Sequence, residues 1–215
     1  MKCSLYTWQN TYKDISGLIV QASASDGSDA WQPFPIGMSW PFALHSHQKE
    51  ALQFGTHSAT VLCALKDVTD QYRRGCTQSN RKVFCRTLEK NGIQNNELHH
   101  EFYFTFLPSY KFVISPEGNG IDCHRHYEAL LAGCIPIVEH NPLIEEKYKG
   151  CPILYTTDYS EITEEYLQQK YQEMLHTEYD FSRLFLSFYS DEEQKLIKQC
   201  GNYWLGQNRL PVWYS

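Results

Sequence analysis

From residue 58 onward, short apolar runs alternate with longer stretches in which apolar residues recur at helical spacing. The apolar runs predict β-strands, which cover residues 58–65, 111–115, 135–138 and 152–155. The amphipathic stretches predict α-helices, which cover residues 79–92, 99–108, 123–132, 142–148, 161–176 and 191–202. Strands that alternate with helices indicate the α/β class, with one Rossmann-like, doubly wound parallel sheet.

The stretch Lys111–Val138 predicts a strand, a Gly-rich turn, an amphipathic helix and a second strand. In such a βαβ unit the turn lies at the carboxyl end of the first strand, where open α/β sheets bind ligands. Gly118 and Gly120 allow the backbone to approach a ligand closely. The N-terminus of the following helix directs unpaired N–H groups to the same place, which suits a phosphate. The turn is therefore a candidate site for a nucleoside diphosphate.

Charged side chains occupy the first two turns of the predicted helix. Glu128 lies one turn from both His124 and Arg125. Arg125 can hold a diphosphate with two parallel hydrogen bonds, and Glu128 can accept hydrogen bonds from ribose hydroxyls. Alternatively, Arg125 and Glu128 form only an intrahelical ion pair. Asp122 is predicted to be the N-cap, and His126 is out of phase with His124, so no metal site is expected here.

The run SPEGNGIDCHRHYEALLAGCIPIV, residues 115–138, resembles the donor-binding signature of exostosin-like and related GT-B glycosyltransferases. That signature reads P-x-G-N-G-x-D-(C/S/T)-x-R, followed by E-A-L-x-x-G-(C/A)-(I/V)-P-(I/V). The resemblance implies that the backbone near Asn119 and Gly120 and the side chain of Arg125 contact the donor diphosphate, with His124 in support. It also implies that Glu128 holds the ribose.

Two further segments fit the same resemblance. Phe34–Met38, with the sequence FPIGM, resembles a Pro-Ile-Gly turn that precedes the donor domain in such transferases. Ser79–Gly92 resembles a helix that carries S/T-N-x-x-R and faces the donor from the opposite side, and Asn80 is its predicted N-cap. The first arginine follows Asn80 immediately, so Arg81 and Arg86 are both candidates for the donor contact. Arg81 is favoured because the first helical turn faces the carboxyl edge of the sheet.

The resemblance implies an enzyme that moves a sugar from a nucleoside-diphosphate sugar to an acceptor hydroxyl on a glycan or glycoprotein. A UDP-sugar is the favoured donor, and the expected reaction is inverting and needs no metal or other cofactor. An inverting reaction requires a general base near the acceptor. Asp26 is the candidate, followed by Asp29, His45 and His47, although Asp26 also fits the role of a turn residue.

A complete GT-B enzyme has two Rossmann-like domains. Here residues 56–215 are predicted to form the donor-binding domain. Residues 1–55 are predicted to form a much reduced acceptor-side region, with the alternative that another chain supplies the acceptor-side domain. The short first region motivates an alternative function, that of a degenerate transferase that binds a nucleotide sugar without turning it over. A dinucleotide-dependent oxidoreductase is disfavoured because the chain lacks both a G-x-G-x-x-G turn and the acidic residue that follows it.

Charge and composition narrow the expected partners. The net charge of −6 argues against a general nucleic-acid binder, which normally displays a basic face. A local cluster of basic residues suits one anionic ligand, namely Arg73, Arg74, Arg81, Lys82 and Arg86. The eight cysteines contain no C-x-x-C pair and are expected to pack as free, small apolar residues. No apolar run has the length of a signal peptide or membrane span, so a soluble cytoplasmic protein is expected. The alternative is a catalytic piece of a larger protein.

Overall fold

The computed structural model of the protein describes residues 19–21, 31–33, 36–39, 41–42, 57–75 and 79–198. Two short strands, β1 (Ile19–Gln21) and β2 (Trp31–Pro33), pair in parallel. Four further strands form a second sheet, in which all neighbours are parallel and the spatial order follows the chain: β3 (Ala59–Leu62), β4 (Tyr110–Ile114), β5 (Ile135–Glu139) and β6 (Leu154–Thr156). All four strands predicted after residue 57 are therefore confirmed.

The helices in the described part of the chain are α1 (Gln71–Arg74), α2 (Arg81–Lys90), α3 (His100–Phe106), α4 (His124–Leu131), α5 (Pro142–Lys147) and α6 (Glu164–Leu175). Residues 41–42 and 191–198 are also helical. Every predicted helix has a counterpart in this set, whereas α1 is absent from the sequence-based prediction. Within the same residues, no helix combines the length and the apolar character needed to cross a bilayer.

The four-stranded sheet is buried on both faces. Each strand contributes to both faces, because side chains along a strand point alternately to opposite sides. On one face, Phe112, Ile114 and Ile137 pack with α2 and α6. On the other face, Val113 and Val138 pack with α3, α4 and α5. A parallel sheet covered by helices on both sides is the arrangement of a Rossmann-like α/β fold, as predicted.

Two helix starts determine the geometry of the site. The N-cap predicted for α2 is confirmed, because the Asn80 side chain accepts a hydrogen bond from the backbone N–H of Val83 at 2.9 Å. The N-cap predicted for α4 is wrong. Cys123 occupies that position without a side-chain capping bond, because the carboxylate of Asp122 is bound by buried cations and a hydroxyl group instead.

Candidate functional site

The Gly-rich turn Pro116–Gly120 follows β4 at the carboxyl edge of the four-stranded sheet. Its first three residues are buried, whereas Asn119 is exposed and Gly120 is half-buried. The N–H of Gly118 donates to the carbonyl of Gly120 at 3.0 Å, which closes the turn. The two backbone positions predicted to meet a ligand therefore lie at the accessible end of the turn.

Arg81, the first residue of α2, packs against this turn and is only 5% exposed. Its Nε and Nη2 donate to the carbonyl oxygens of Glu117 and Pro116, each at 2.8 Å. A Cβ atom at Gly118 would lie 3.1 Å from Arg81 Nη2, so a larger residue there would force the buried guanidinium to shift by a few tenths of an ångström. Burial lowers the pKa of this guanidinium. Of the two arginines considered from the sequence, Arg81 contacts the turn and Arg86 is exposed.

Two arginines of α1 reach the same turn. Arg73 and Arg74 both bind the carboxylate of Glu117, and Arg74 Nη1 also binds Glu139 Oε1 at 2.7 Å. Arg73 Nε donates to the carbonyl of Gly118 at 3.1 Å. The predicted basic cluster is therefore divided: three of its arginines lie at the turn, while Lys82 and Arg86 are exposed.

Arg125, in the first turn of α4, is half-buried. Its Nη2 donates to the carbonyl of Ala64 at 2.8 Å, and its Cζ lies 5.1 Å from the ring centroid of Tyr103. Its Nε and Nη1 are buried and have no hydrogen-bond partner among the described residues. Arg125 and Glu128 each bond to other groups, so the simple intrahelical ion pair is not the arrangement in the structure. These two nitrogens are enclosed by protein. Burial by itself lowers the pKa of Arg125, but the Tyr103 side chain that lies beside the guanidinium contributes to raising it.

Residues 36–39, which overlap the FPIGM segment, lie along α4. The backbone N–H of Ile36 donates to Asp122 Oδ2, and that of Ser39 donates to Glu128 Oε1, both at 3.0 Å. Glu128 is 4% exposed, and within the described part of the chain Ser39 is its only hydrogen-bond partner. Among the described residues, no donor bonds to the second carboxylate oxygen, Oε2.

His124 lies one residue before Arg125 and is exposed. Its Nδ1 donates to the carbonyl of Gly37 at 2.8 Å, which holds the ring against residues 36–39. The ring lies at the surface beside the start of α4, where a ligand on the turn can reach it.

Beneath these residues lies a buried polar network that the sequence does not reveal. Asp122 accepts hydrogen bonds from His126 Nδ1 at 3.2 Å and from the Tyr148 hydroxyl at 2.8 Å. Lys147 Nζ lies 3.6 Å from the same carboxylate, and His126 Nε2 lies 2.8 Å from the carbonyl of Ser115. The network joins the end of β4 to α4 and α5. Its one local signal is the spacing of four residues between Asp122 and His126.

The network holds His126 in its charged form. Both ring nitrogens face acceptors, the Asp122 carboxylate and the Ser115 carbonyl, so both must carry protons. Burial by itself lowers the pKa of His126, but Cys123 and Asp122 outweigh it and raise the pKa to about 10. Burial likewise raises the pKa of Asp122, but His126 and Lys147 outweigh it and the pKa is lowered.

Cys123, at the N-cap of α4, lies beside several positive groups. Cys63, Cys85 and Cys134 are buried free thiols within the core, as predicted. Cys123 is half-buried. Burial raises the pKa of its thiol, but the positive charges of His126, Arg81 and Arg125 together lower it. The positive groups around the start of α4 therefore all act on the Cys123 thiol.

No family model matches this chain, and no curated protein matches it. The resemblance to exostosin-like transferases rests on the motif residues alone.

Four predicted site residues belong to the part of the chain before residue 57. The general-base candidate Asp26 lies outside the described residues, as do Asp29, His45 and His47. In the ranges that are described, no group of three or more His, Cys, Asp and Glu side chains is arranged to hold a metal ion. The arrangement that is described offers a glycine turn, a helix N-terminus and several guanidinium groups, which is suited to binding an anion.

Proposed function

We propose that this protein is a metal-independent, inverting glycosyltransferase with a GT-B donor domain, which transfers a sugar from a nucleoside-diphosphate sugar to an acceptor hydroxyl on a glycan. One observation carries the proposal: Arg81 bonds to a Gly-rich turn at the carboxyl edge of a parallel sheet, and Arg125 lies in the first turn of the helix that follows, where its charge acts on Cys123. α/β sheets bind phosphate-bearing ligands at this edge. The motif resemblance supplies the ligand class, with a UDP-sugar favoured.

The proposed chemistry requires stabilisation of a leaving diphosphate. The acceptor oxygen attacks the anomeric carbon while the bond from that carbon to the diphosphate oxygen breaks, and negative charge develops on the diphosphate. Positive groups fixed in advance at that point are usually the largest catalytic contribution. Arg125 supports this role because its Nε and Nη1 have no partner among the described residues. In the proposal Asp26 accepts the proton of the acceptor hydroxyl.

Glu128 is proposed to bind the ribose. It lies one helical turn beyond Arg125, too deep for the transferred sugar, and its Oε2 is free of described partners. The N–H of Ser39 fixes the orientation of the carboxylate through Oε1 at 3.0 Å. In the same proposal residues 56–215 form the donor domain and residues 1–55 supply the acceptor side.

A thermal-shift screen of nucleotide sugars, free nucleoside diphosphates and free sugars tests the proposal. A ligand at 100 times its Kd stabilises the native state by about 2.7 kcal/mol. We expect Tm to rise with a nucleotide sugar and with its free nucleoside diphosphate, but not with the free sugar. A screen in which no nucleotide raises Tm would contradict the proposal.

A variant pair locates the pocket. Glu128→Gln should weaken the binding of the free nucleoside diphosphate by about 1.5–3 kcal/mol, as expected for a hydrogen bond to a charged group. Glu89→Gln is the matched control, because Glu89 is an exposed carboxylate on α2. Calorimetric titration of both variants measures the difference. If Glu128→Gln and the parent bind the nucleoside diphosphate equally well, Glu128 does not bind the ribose.

A further inference from the structure

Glu117 occupies the centre of an ion-pair cluster on the Gly-rich turn. Its carboxylate accepts hydrogen bonds from Arg73 and Arg74, and the side-chain amide of Asn141 lies 3.3 Å from Oε1. Although the side chain is charged, it is only 7% exposed. A buried carboxylate therefore occupies the turn that is proposed to receive a phosphate.

The charges of this cluster are balanced. The cluster holds three arginines and three carboxylates: Arg73 and Arg74 pair with Asp70, Glu117 and Glu139. The guanidinium of Arg81 bonds to the carbonyl oxygens of Glu117 and Pro116, and its backbone N–H donates to Asp70. A balanced cluster attracts an incoming anion weakly, because each positive group already has a partner. Strong binding of an anion at the turn requires that one of the carboxylates gives way.

Within the described residues, Glu117 is the carboxylate of this cluster that is held by side chains alone, whereas Asp70 accepts from the backbone N–H of Arg81. Glu139 is held by Arg74 at 2.7 Å, by the backbone N–H of Glu117 at 2.9 Å and by the Tyr159 hydroxyl at 3.3 Å. Among the described residues, the Glu117 side chain is bonded by the two arginines and the Asn141 amide. If Glu117 turned outward, Arg74 would keep its bond to Glu139 and its position at the turn.

We propose that Arg73 and Arg74 are a second pair of anion-binding residues, and that a diphosphate binds them by displacing the carboxylate of Glu117. The inference rests on the proposed function, since it concerns the same turn. Arg73 and Arg74 each donate one hydrogen bond to Glu117 Oε2. Phosphate oxygens accept such charge-assisted bonds as carboxylate oxygens do, so the exchange preserves the hydrogen bonds of both arginines. A diphosphate carries more negative charge than one carboxylate, so Coulomb attraction favours the exchange. A neutral sugar cannot displace Glu117.

Calorimetric titration of inorganic pyrophosphate tests this exchange. In Glu117→Gln the competing charge is gone, so pyrophosphate should bind about tenfold more tightly than to the parent. Glu146→Gln is the matched control, because Glu146 pairs with Arg183 at 3.3 Å on the surface and its loss changes the net charge equally. That control should bind pyrophosphate as the parent does. In an Arg73→Gln background the gain from Glu117→Gln should shrink, because one of the released donors is missing.

Glu117→Asp is a second variant, which keeps the test usable if Glu117→Gln does not fold. It keeps the charge but withdraws the carboxylate from the arginines by one methylene group, so it should also tighten pyrophosphate binding, by a smaller factor. Circular dichroism confirms that each variant is folded. If the parent binds pyrophosphate and neither Glu117 variant binds it more tightly, the exchange is wrong while the proposed function stands. If neither the parent nor any of the variants binds pyrophosphate, both proposals are wrong.

Discussion

Replacement of Asp122 by asparagine should strongly destabilise the protein although the two side chains have nearly the same shape. The carboxylate is fully buried and bonds to Ile36, His126 and Tyr148 at distances of 2.8–3.2 Å. Lys147 Nζ lies 3.6 Å away and is also buried. Asp122 is therefore the counter-charge of two buried cations, one on α4 and one on α5.

The size of the effect follows from that burial. Asparagine keeps one acceptor oxygen, but it removes the negative charge and places an amide NH₂ among groups that are themselves donors. Removing one partner of a buried ion pair costs about 3–5 kcal/mol, because a charge remains buried without compensation. Since domains are typically stable by about 5–15 kcal/mol, this loss is a large part of the total.

Urea unfolding at neutral pH, followed by circular dichroism, measures this loss. Glu173→Gln is the control, since it removes the same charge from an exposed pair with Lys170 and should leave the unfolding midpoint unchanged. A loss below about 1 kcal/mol for Asp122→Asn, within the range of ordinary substitutions, would refute the argument that Asp122 compensates two buried charges.

Two further predictions concern the same region. The folded-state pKa of His126 is raised to about 10, so its contribution to stability is complete below the unfolded pKa of about 6.5 and is lost as the pH rises through 10. The stability difference between the parent and His126→Gln should therefore shrink between about pH 7 and pH 10 in urea unfolding, and a constant difference would contradict a charged His126. Gly118→Ala should cost about 1–3 kcal/mol through overpacking, because the new Cβ lies 3.1 Å from Arg81 Nη2. The double variant with Arg81→Gln should then lose less than the sum of the single variants, and full additivity would show that the contact is absent.

Local patterns were sufficient to predict the elements around the turn. The apolar runs at residues 111–115 and 135–138 differ by only one residue from the ends of β4 and β5. The Asn80 cap depends on a contact with a residue three positions away, so it is visible in the sequence. The start of α6 is later than predicted because a 3-10 turn, Tyr159–Glu161, precedes its Thr163 cap.

The chemistry of the site depends on contacts that are distant in the chain. Asp122 looked like an N-cap because the residues next to it suit a helix start, but its partner Ile36 lies 86 residues earlier. The pairing of Arg73 with Glu117 spans 44 residues. Sequence spacing cannot show such contacts, because they form only when distant segments of the chain pack together in the folded protein. The exposed or buried state of Arg125 could not be predicted for the same reason.

The most direct test of the central claim is the release of nucleoside diphosphate from a nucleotide sugar, first without acceptor and then with candidate glycans. The account predicts turnover by the parent, and a loss of roughly 10²–10³-fold in Arg125→Ala, because one preorganised cationic contact to the leaving diphosphate is removed. Arg86→Ala, which removes an exposed arginine from α2, should retain the parent rate. Saturable binding of the donor without release of diphosphate, or a parent-like rate in folded Arg125→Ala, would contradict the account.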